Sequence, residues 1–199
     1  MTDQEPRRRD IVTIGASAGG IQPLGVLLSK LPADLPACIA VVIHRPRSYE
    51  GRLVSVLGRR TVLDVVEPAD GDPVRPGRVY LAPPDLHLTF ADPEHFRLSR
   101  EPVQHRHRPA VDSLFRSAAE VFGARTVGVL LSGSGSDGVR GLRAIKHRGG
   151  ASIVQDPDEA RFPGMPTRAI ELNHVDAALR VEQIAGALLR LVEGDPIEP

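Results

Sequence analysis

Three residues in this 199-residue chain carry the groups that together cleave esters and amides, and each follows a short apolar run. Ser17 lies in Gly15-Ala16-Ser17-Ala18-Gly19-Gly20, after Ile11-Val12-Thr13-Ile14. His44 follows the run from Ala37 to Ile43. Asp137 lies in Ser132-Gly133-Ser134-Gly135-Ser136-Asp137-Gly138, after Val127 to Leu131. A serine hydroxyl is a weak nucleophile near neutral pH and needs a base, a role that suits imidazole. A carboxylate then holds the imidazole in the right tautomer and stabilises its protonated form. The Gly-rich turn around Ser17 bends sharply into a helix start, where backbone N–H groups at Ala18 or Gly19 can hold the negative oxygen of a tetrahedral intermediate. The order Ser, His, Asp differs from the three common ones, but geometry defines a triad.

Taken as patterns, the same residues have other readings. A Gly-rich turn between strand and helix also binds phosphate. Gly15 to Ile21 partly mimics the turn of short-chain dehydrogenases, yet neither Tyr49 nor Tyr80 has a lysine four residues later. Asp137 can serve as a helix cap, and His44 as a hydrogen-bonded surface residue. His105 and His107, with His87 and His95, are of zinc-ligand type. However, they lie among basic residues without a cysteine pair or clustered carboxylates, which disfavours a metal site. Phe162 and Met165 read as packing residues.

The elements that must position the three residues alternate between strand and helix. Apolar residues at Ile21, Leu24, Leu27, Leu28 and Leu31 follow helical spacing up to Pro32. Ala37 to Ile43 is continuously apolar, as expected of a central parallel strand covered on both faces. A helix through Leu53, Val56 and Leu57 and a strand over 63–66 follow. The turn-rich run Asp70 to Gly77 leads into three short runs, 78–82, 86–90 and 96–98, which suggest an antiparallel excursion at one edge. Helices are expected over 111–122 and 139–147, strands over 127–131 and 151–154. Pro163 to Pro166 is expected to be a turn before a short helix, and 182–192 a closing helix. The alternation predicts an α/β fold: one doubly wound, mainly parallel sheet with helices on both faces. In such folds the ligand crevice lies beyond the carboxyl ends of the strands. Ser17, His44 and Asp137 therefore share one crevice if their strands are neighbours.

Composition bounds the rest. The length suits one domain. We expect a flexible leader over 1–10, the domain over 11–193 and a flexible tail over 194–199. Twenty-five basic residues balance 25 acidic ones, which argues against a nucleic-acid partner. No apolar run is long enough to span a membrane, and Met1 to Asp10 does not resemble a secretory signal. A cytoplasmic protein is expected. Cys38 is the one cysteine, so no intrachain disulfide forms, and its apolar surroundings suggest a buried thiol.

With these residues in view, the chain from about Ile11 to about Leu191 resembles the catalytic domain of the chemotaxis protein-glutamate methylesterases (the CheB type). Gly15 to Gly20 resembles the family's Gly-Ala-Ser-Thr-Gly-Gly, whose serine is the nucleophile. His44 corresponds to the catalytic histidine. Ser132 to Gly138 resembles Thr-Gly-Met-Gly-x-Asp-Gly, whose aspartate completes the triad. Further likenesses are Val79-Tyr80-Leu81-Ala82-Pro83-Pro84-Asp85-x-His87, Arg108-Pro109-Ala110-Val111-Asp112-x-Leu114-Phe115, and Gln155-Asp156-Pro157 with Gly164-Met165-Pro166. The resemblance implies hydrolysis of glutamate γ-methyl esters on chemoreceptor cytoplasmic helices with release of methanol, sometimes with glutamine deamidation. It also implies no cofactor and no metal. Two residues depart from the pattern. Ala18 stands where the family has threonine, and Ser134 where it has a methionine whose backbone amide is a candidate oxyanion donor. The receiver domain that normally precedes the catalytic domain is not expected in the ten residues before the first strand, so a regulator acting in trans is one expectation. A catalytically weak binding module of the same fold is the rival function.

Overall fold

The computed structural model describes residues 8–44, 52–104 and 107–197. Seven strands form one parallel sheet: β1 (Ile11–Ala16), β2 (Cys38–Ile43), β3 (Asp64–Val66), β4 (Arg78–Leu81), β7 (Thr126–Leu130), β8 (Ala151–Gln155) and β9 (Ala177–Leu179). Their spatial order is β3-β4-β2-β1-β7-β8-β9. Every residue of β1, β2, β7 and β8 is buried, which explains their unbroken apolar runs: both faces are covered, so no polar side alternates in. β5 (His87–Phe90) and β6 (Phe96–Ser99) pair antiparallel in a separate two-stranded sheet.

The helices are α1 (Ile21–Ser29), α2 (Arg52–Gly58), α3 (Val111–Phe122), α4 (Val139–His147), α5 (Gly164–Glu171) and α6 (Val181–Glu193). They divide the core in two. On one face Leu24, Leu27 and Leu28 of α1, Leu53 and Leu57 of α2 and Ile184, Leu188 and Leu191 of α6 pack on Ile14, Ile39 and Val129. On the other, Leu114 and Phe115 of α3, Leu142 and Ile145 of α4 and Met165 of α5 pack with Ala40, Val42 and Leu130, and with Leu88, Phe90 and Phe96 of the small sheet.

The structure redraws three local readings. Arg78–Leu81 does not belong to an antiparallel excursion; it pairs in parallel with both β2 and β3. Only β5 and β6 are antiparallel, and they are not hydrogen-bonded into the main sheet. Gly164 to Pro166 is not a turn but the first turn of α5, where proline lacks only an N–H that has no helical partner there. β9 is an additional edge strand of three partly exposed residues, too short to produce a pattern. Of the ten residues expected as a leader, the first seven lie outside the described residues. At its end the Arg9 N–H donates to the Leu191 carbonyl, and the Asp10 carboxylate takes two 2.8 Å bonds from Arg125.

α3 and α4 approach closely because α4 carries Gly141 against α3. A Cβ at position 141 would fall on Phe115 Cβ, an atom fixed by the helix backbone. Gly141→Ala is therefore expected to lower stability by about 1–3 kcal/mol through overpacking, measured as a shift in denaturant midpoint.

Candidate active site

The sheet order makes β2, β1 and β7 adjacent, with β1 in the middle. Ser17 leaves the end of β1, His44 the end of β2, and Asp137 the loop after β7. The chain order reverses at β1, so the crevice beyond these ends is the expected ligand position of a doubly wound sheet. The ladder continues just past the strands. The His44 N–H donates to the Ala16 carbonyl at 3.1 Å, and the Ser17 N–H to the Ser132 carbonyl at 3.0 Å. Ser17 and His44 thus start from hydrogen-bonded backbone.

They meet. His44 Nδ1 lies 3.2 Å from Ser17 Oγ, and His44 Nε2 lies 2.8 Å from Asp137 Oδ2. Asp137 also takes the backbone N–H of Val111 on Oδ2 at 2.8 Å and that of Asp112 on Oδ1 at 2.9 Å. These are the first two residues of α3, so the carboxylate caps that helix rather than its own, and the helix dipole favours its charge. Burial alone pushes the Asp137 pKa up. The bonds from His44 and from the Asp112 and Val111 N–H groups, with the attraction of His44, outweigh it and hold the carboxyl below the usual carboxylate range. An ionised carboxylate only accepts, so the imidazole proton sits on Nε2 and the Nδ1 lone pair faces the serine hydroxyl. The arrangement can draw the proton from Ser17 and carry the resulting positive charge beside Asp137.

Three backbone N–H groups lie in the segments next to Ser17. Ala18 and Gly19 open the turn into α1, and Ser134 lies in the loop after β7. Among the described residues, none of these three N–H groups donates to a protein acceptor, whereas the Gly133 N–H is taken by the Phe162 carbonyl. Gly133 passes so close to Ser17 that a Cβ on it would come within 2.8 Å of Ser17 Cβ and would collide with Met165 Sδ. Only glycine lets the Ser134 loop approach Ser17. The Ala18 side chain is exposed; its backbone carbonyl, not its side chain, ties down the turn.

Ser132 is the fastener of this region. Its hydroxyl donates to the Ala18 carbonyl at 2.9 Å and accepts the Phe162 N–H at 3.0 Å, while its N–H donates to Gln155 Oε1 at 3.0 Å. Met165 donates its N–H to the Gly133 carbonyl at 2.9 Å. The Gln155 and Gly164-Met165-Pro166 motifs thus support the loop that carries Ser134. Met165 is fully buried, as expected of packing, but Phe162 is 38% exposed and flanks the Gly19 turn.

The remaining motifs hold the segment before α3. Asp85 receives two bonds from the Arg108 guanidinium, at 2.9 and 2.7 Å. His87 accepts the Ala110 N–H on Nδ1 and donates from Nε2 to the Pro102 carbonyl; burial, as the largest effect, holds its pKa below the usual histidine value. This segment presents His107, whose ring stacks on His44 at 3.5 Å between centroids, with planes 9° apart. Sequence reasoning missed that role. The signal available was the position of His107, immediately before the Arg108-Pro109 motif. Of the other histidines weighed as metal ligands, His95 pairs with Asp92 at an exposed turn and His105 lies outside the described residues. Among the described residues no three histidine, cysteine or carboxylate side chains are grouped to hold a metal ion.

Fold and site together define a class: a doubly wound α/β domain with a Ser–His–Asp constellation on three adjacent strand ends. The comparisons narrow it. The model of the CheB methylesterase family matches residues 12–188, and the chain belongs to that family. It is 44% identical over 184 residues to a protein-glutamate methylesterase/protein-glutamine glutaminase of Anaeromyxobacter dehalogenans, covering 92% of this chain and 54% of the relative. It is 36% identical over 182 residues to a putative enzyme of the same description from Leptospira interrogans, covering 92% and 94%. The crystal structure of the Thermotoga maritima CheB methylesterase catalytic domain superposes with a TM-score of 0.89 at 36% identity, covering 92% of this chain and 98% of that one. The chain spans about half the length of several curated relatives it matches.

Two outcomes are expected. Because the folded Asp137 pKa is depressed, its contribution to stability is present above the unfolded value of about 3.9 and is lost as pH falls through the folded value. Asp137→Asn should therefore cost about 1–3 kcal/mol at neutral pH, and the gap to the parent protein should shrink toward pH 3 in denaturant titrations. His107→Ala should remove a ring stack worth about 0.5–1.5 kcal/mol, lowering kcat by roughly twofold to tenfold, while His107→Phe retains most of the rate.

Proposed function

We propose that this chain is a serine esterase that hydrolyses glutamate γ-methyl esters on chemoreceptor cytoplasmic helices, releasing methanol, and also deamidates glutamine. The observation that carries the reading is the hydrogen-bonded series Ser17–His44–Asp137, with one imidazole nitrogen toward the hydroxyl and the other toward a buried carboxylate. The names of the relatives supply the substrate class. The work would be done in the cytoplasm. Among the described residues no helix is long and apolar enough to cross a membrane. A receiver-domain protein acting in trans is the proposed regulator.

In the first step Ser17 Oγ attacks the ester carbonyl carbon as its proton passes to His44 Nδ1. The carbonyl π electrons move to oxygen, and the oxyanion is held by backbone N–H groups of the Ala18–Gly19 turn and Ser134. The tetrahedral intermediate collapses, the C–OCH₃ bond breaks, and His44 returns the proton to methoxide, giving methanol and a glutamyl-Ser17 ester. Water then adds, again with His44 as base, and collapse restores Ser17 and leaves a glutamate. With glutamine, ammonia leaves in place of methanol. Asp137 stays ionised throughout and stabilises the imidazolium.

The test is methanol release from a methylated chemoreceptor cytoplasmic fragment. Ser17→Ala, His44→Ala and the double variant should each lose on the order of a thousandfold or more in kcat, by similar amounts, because triad members act as a unit. Additive losses, or near-normal turnover of Ser17→Ala, would overturn the assignment.

A further inference from the structure

A groove of about 440 Å³ runs between α3 and α4, and cations line it. Arg140, Arg143 and His147 lie at i, i+3 and i+7 along α4, one face of the helix, over about 10 Å of its length. Arg116 and Glu120 of α3 form the opposite wall. Arg140 and Arg143 are exposed, and among the described residues neither side chain has a hydrogen bond or ion pair. Arg116 leans on the buried Asp112 at 3.7 Å. Glu120 is the one acidic residue lining the groove, in a chain whose charges balance overall.

Both helices that wall the groove start beside Asp137. Asp137 takes the N–H groups of the first two residues of α3 and stands two residues before α4. Asp112 of α3 in turn accepts the Gly141 N–H of α4 at 2.7 Å, which fixes the two helices side by side. A protein segment with its glutamyl side chain at Ser17 therefore sits at the end of the domain from which both walls of the groove start.

We propose that the α3–α4 groove docks the acidic face of the substrate helix that carries the glutamyl ester. The inference rests on the proposed methylesterase activity. Each turnover leaves a carboxylate on that helix, and carboxylates spaced at i, i+3 and i+7 match the spacing of Arg140, Arg143 and His147. Exposed charges of this kind steer association and set register while leaving the chemical step alone, and salt screens them.

The test compares the parent protein with R140E/R143E on two substrates: a methylated chemoreceptor cytoplasmic fragment and p-nitrophenyl acetate. KM for the fragment should rise about tenfold, with kcat and hydrolysis of the small ester unchanged, and the rise of the parent's KM with salt should vanish in the variant. R140Q/R143Q should fall between the two. Unchanged small-ester turnover and melting temperature show that the variants are folded. Fragment binding is read separately in Ser17→Ala protein with and without the charge reversals. If methanol is released with the same KM and the same Kd in all variants, the groove does not dock the substrate, and the esterase reading stands. If the fragment binds in a charge-dependent way but yields no methanol, docking stands and the esterase reading falls. Absence of both binding and hydrolysis overturns both.

Discussion

The structure hangs on one buried charge. Asp137 is 2% exposed, a position at which an uncompensated carboxylate is strongly disfavoured. Three donors make it tolerable: one imidazole N–H and the two leading N–H groups of α3. Each ties the carboxylate to a different distance in the chain. His44 comes from β2, α3 from the long excursion after β4, and Asp137 itself from β7. None of these segments can shift without leaving the charge unsatisfied, so a single electrostatic requirement aligns them.

A second centre, Ser132, does for the surroundings of Ser17 what Asp137 does for those of His44. It joins the Gly-rich turn to the Phe162 segment and to Gln155, which also donates to Glu159 at 3.1 Å. Glu159 then accepts the N–H of Val181 at the start of α6. The series runs from the turn beside Ser17 to the helix that closes the fold. Its bonds run from 2.9 to 3.1 Å and are buried or part-buried, so the turn is held by directional contacts rather than by bulk.

The strand-end logic was legible because it needs only local signals: apolar runs bounded by glycine, and a chemically capable residue at each boundary. The core helices were legible for the same reason; α3 and α4 run over the residues their apolar spacing marks. What was not legible depends on partners far along the chain. Arg78–Leu81 looks like any short edge strand until its neighbours in space, β2 and β3, are known. The stacking of His107 on His44 depends on Asp85, Arg108 and His87 bringing a loop back over the site, and no spacing in the sequence encodes that return. Ser132 was visible only as a member of a Gly/Ser-rich run, because a hydroxyl's importance lies in what it reaches.

The handedness of the imidazole also matters for reagents. In the common serine-protease arrangement Nε2 faces the serine and Nδ1 the carboxylate. Here the ring is reversed, with Nδ1 toward Ser17 and Nε2 toward Asp137. On the proposed esterase reading, an electrophilic substrate mimic such as a haloketone would alkylate the nitrogen that faces Ser17, so its adduct would be expected at Nδ1. A histidine methylated on Nε2 would keep its lone pair toward the hydroxyl and lose its grip on the carboxylate. The two regioisomers of methylhistidine thus exchange the effects they have in enzymes of the other orientation, and mass-spectrometric or NMR assignment of an affinity label reads the ring's direction directly.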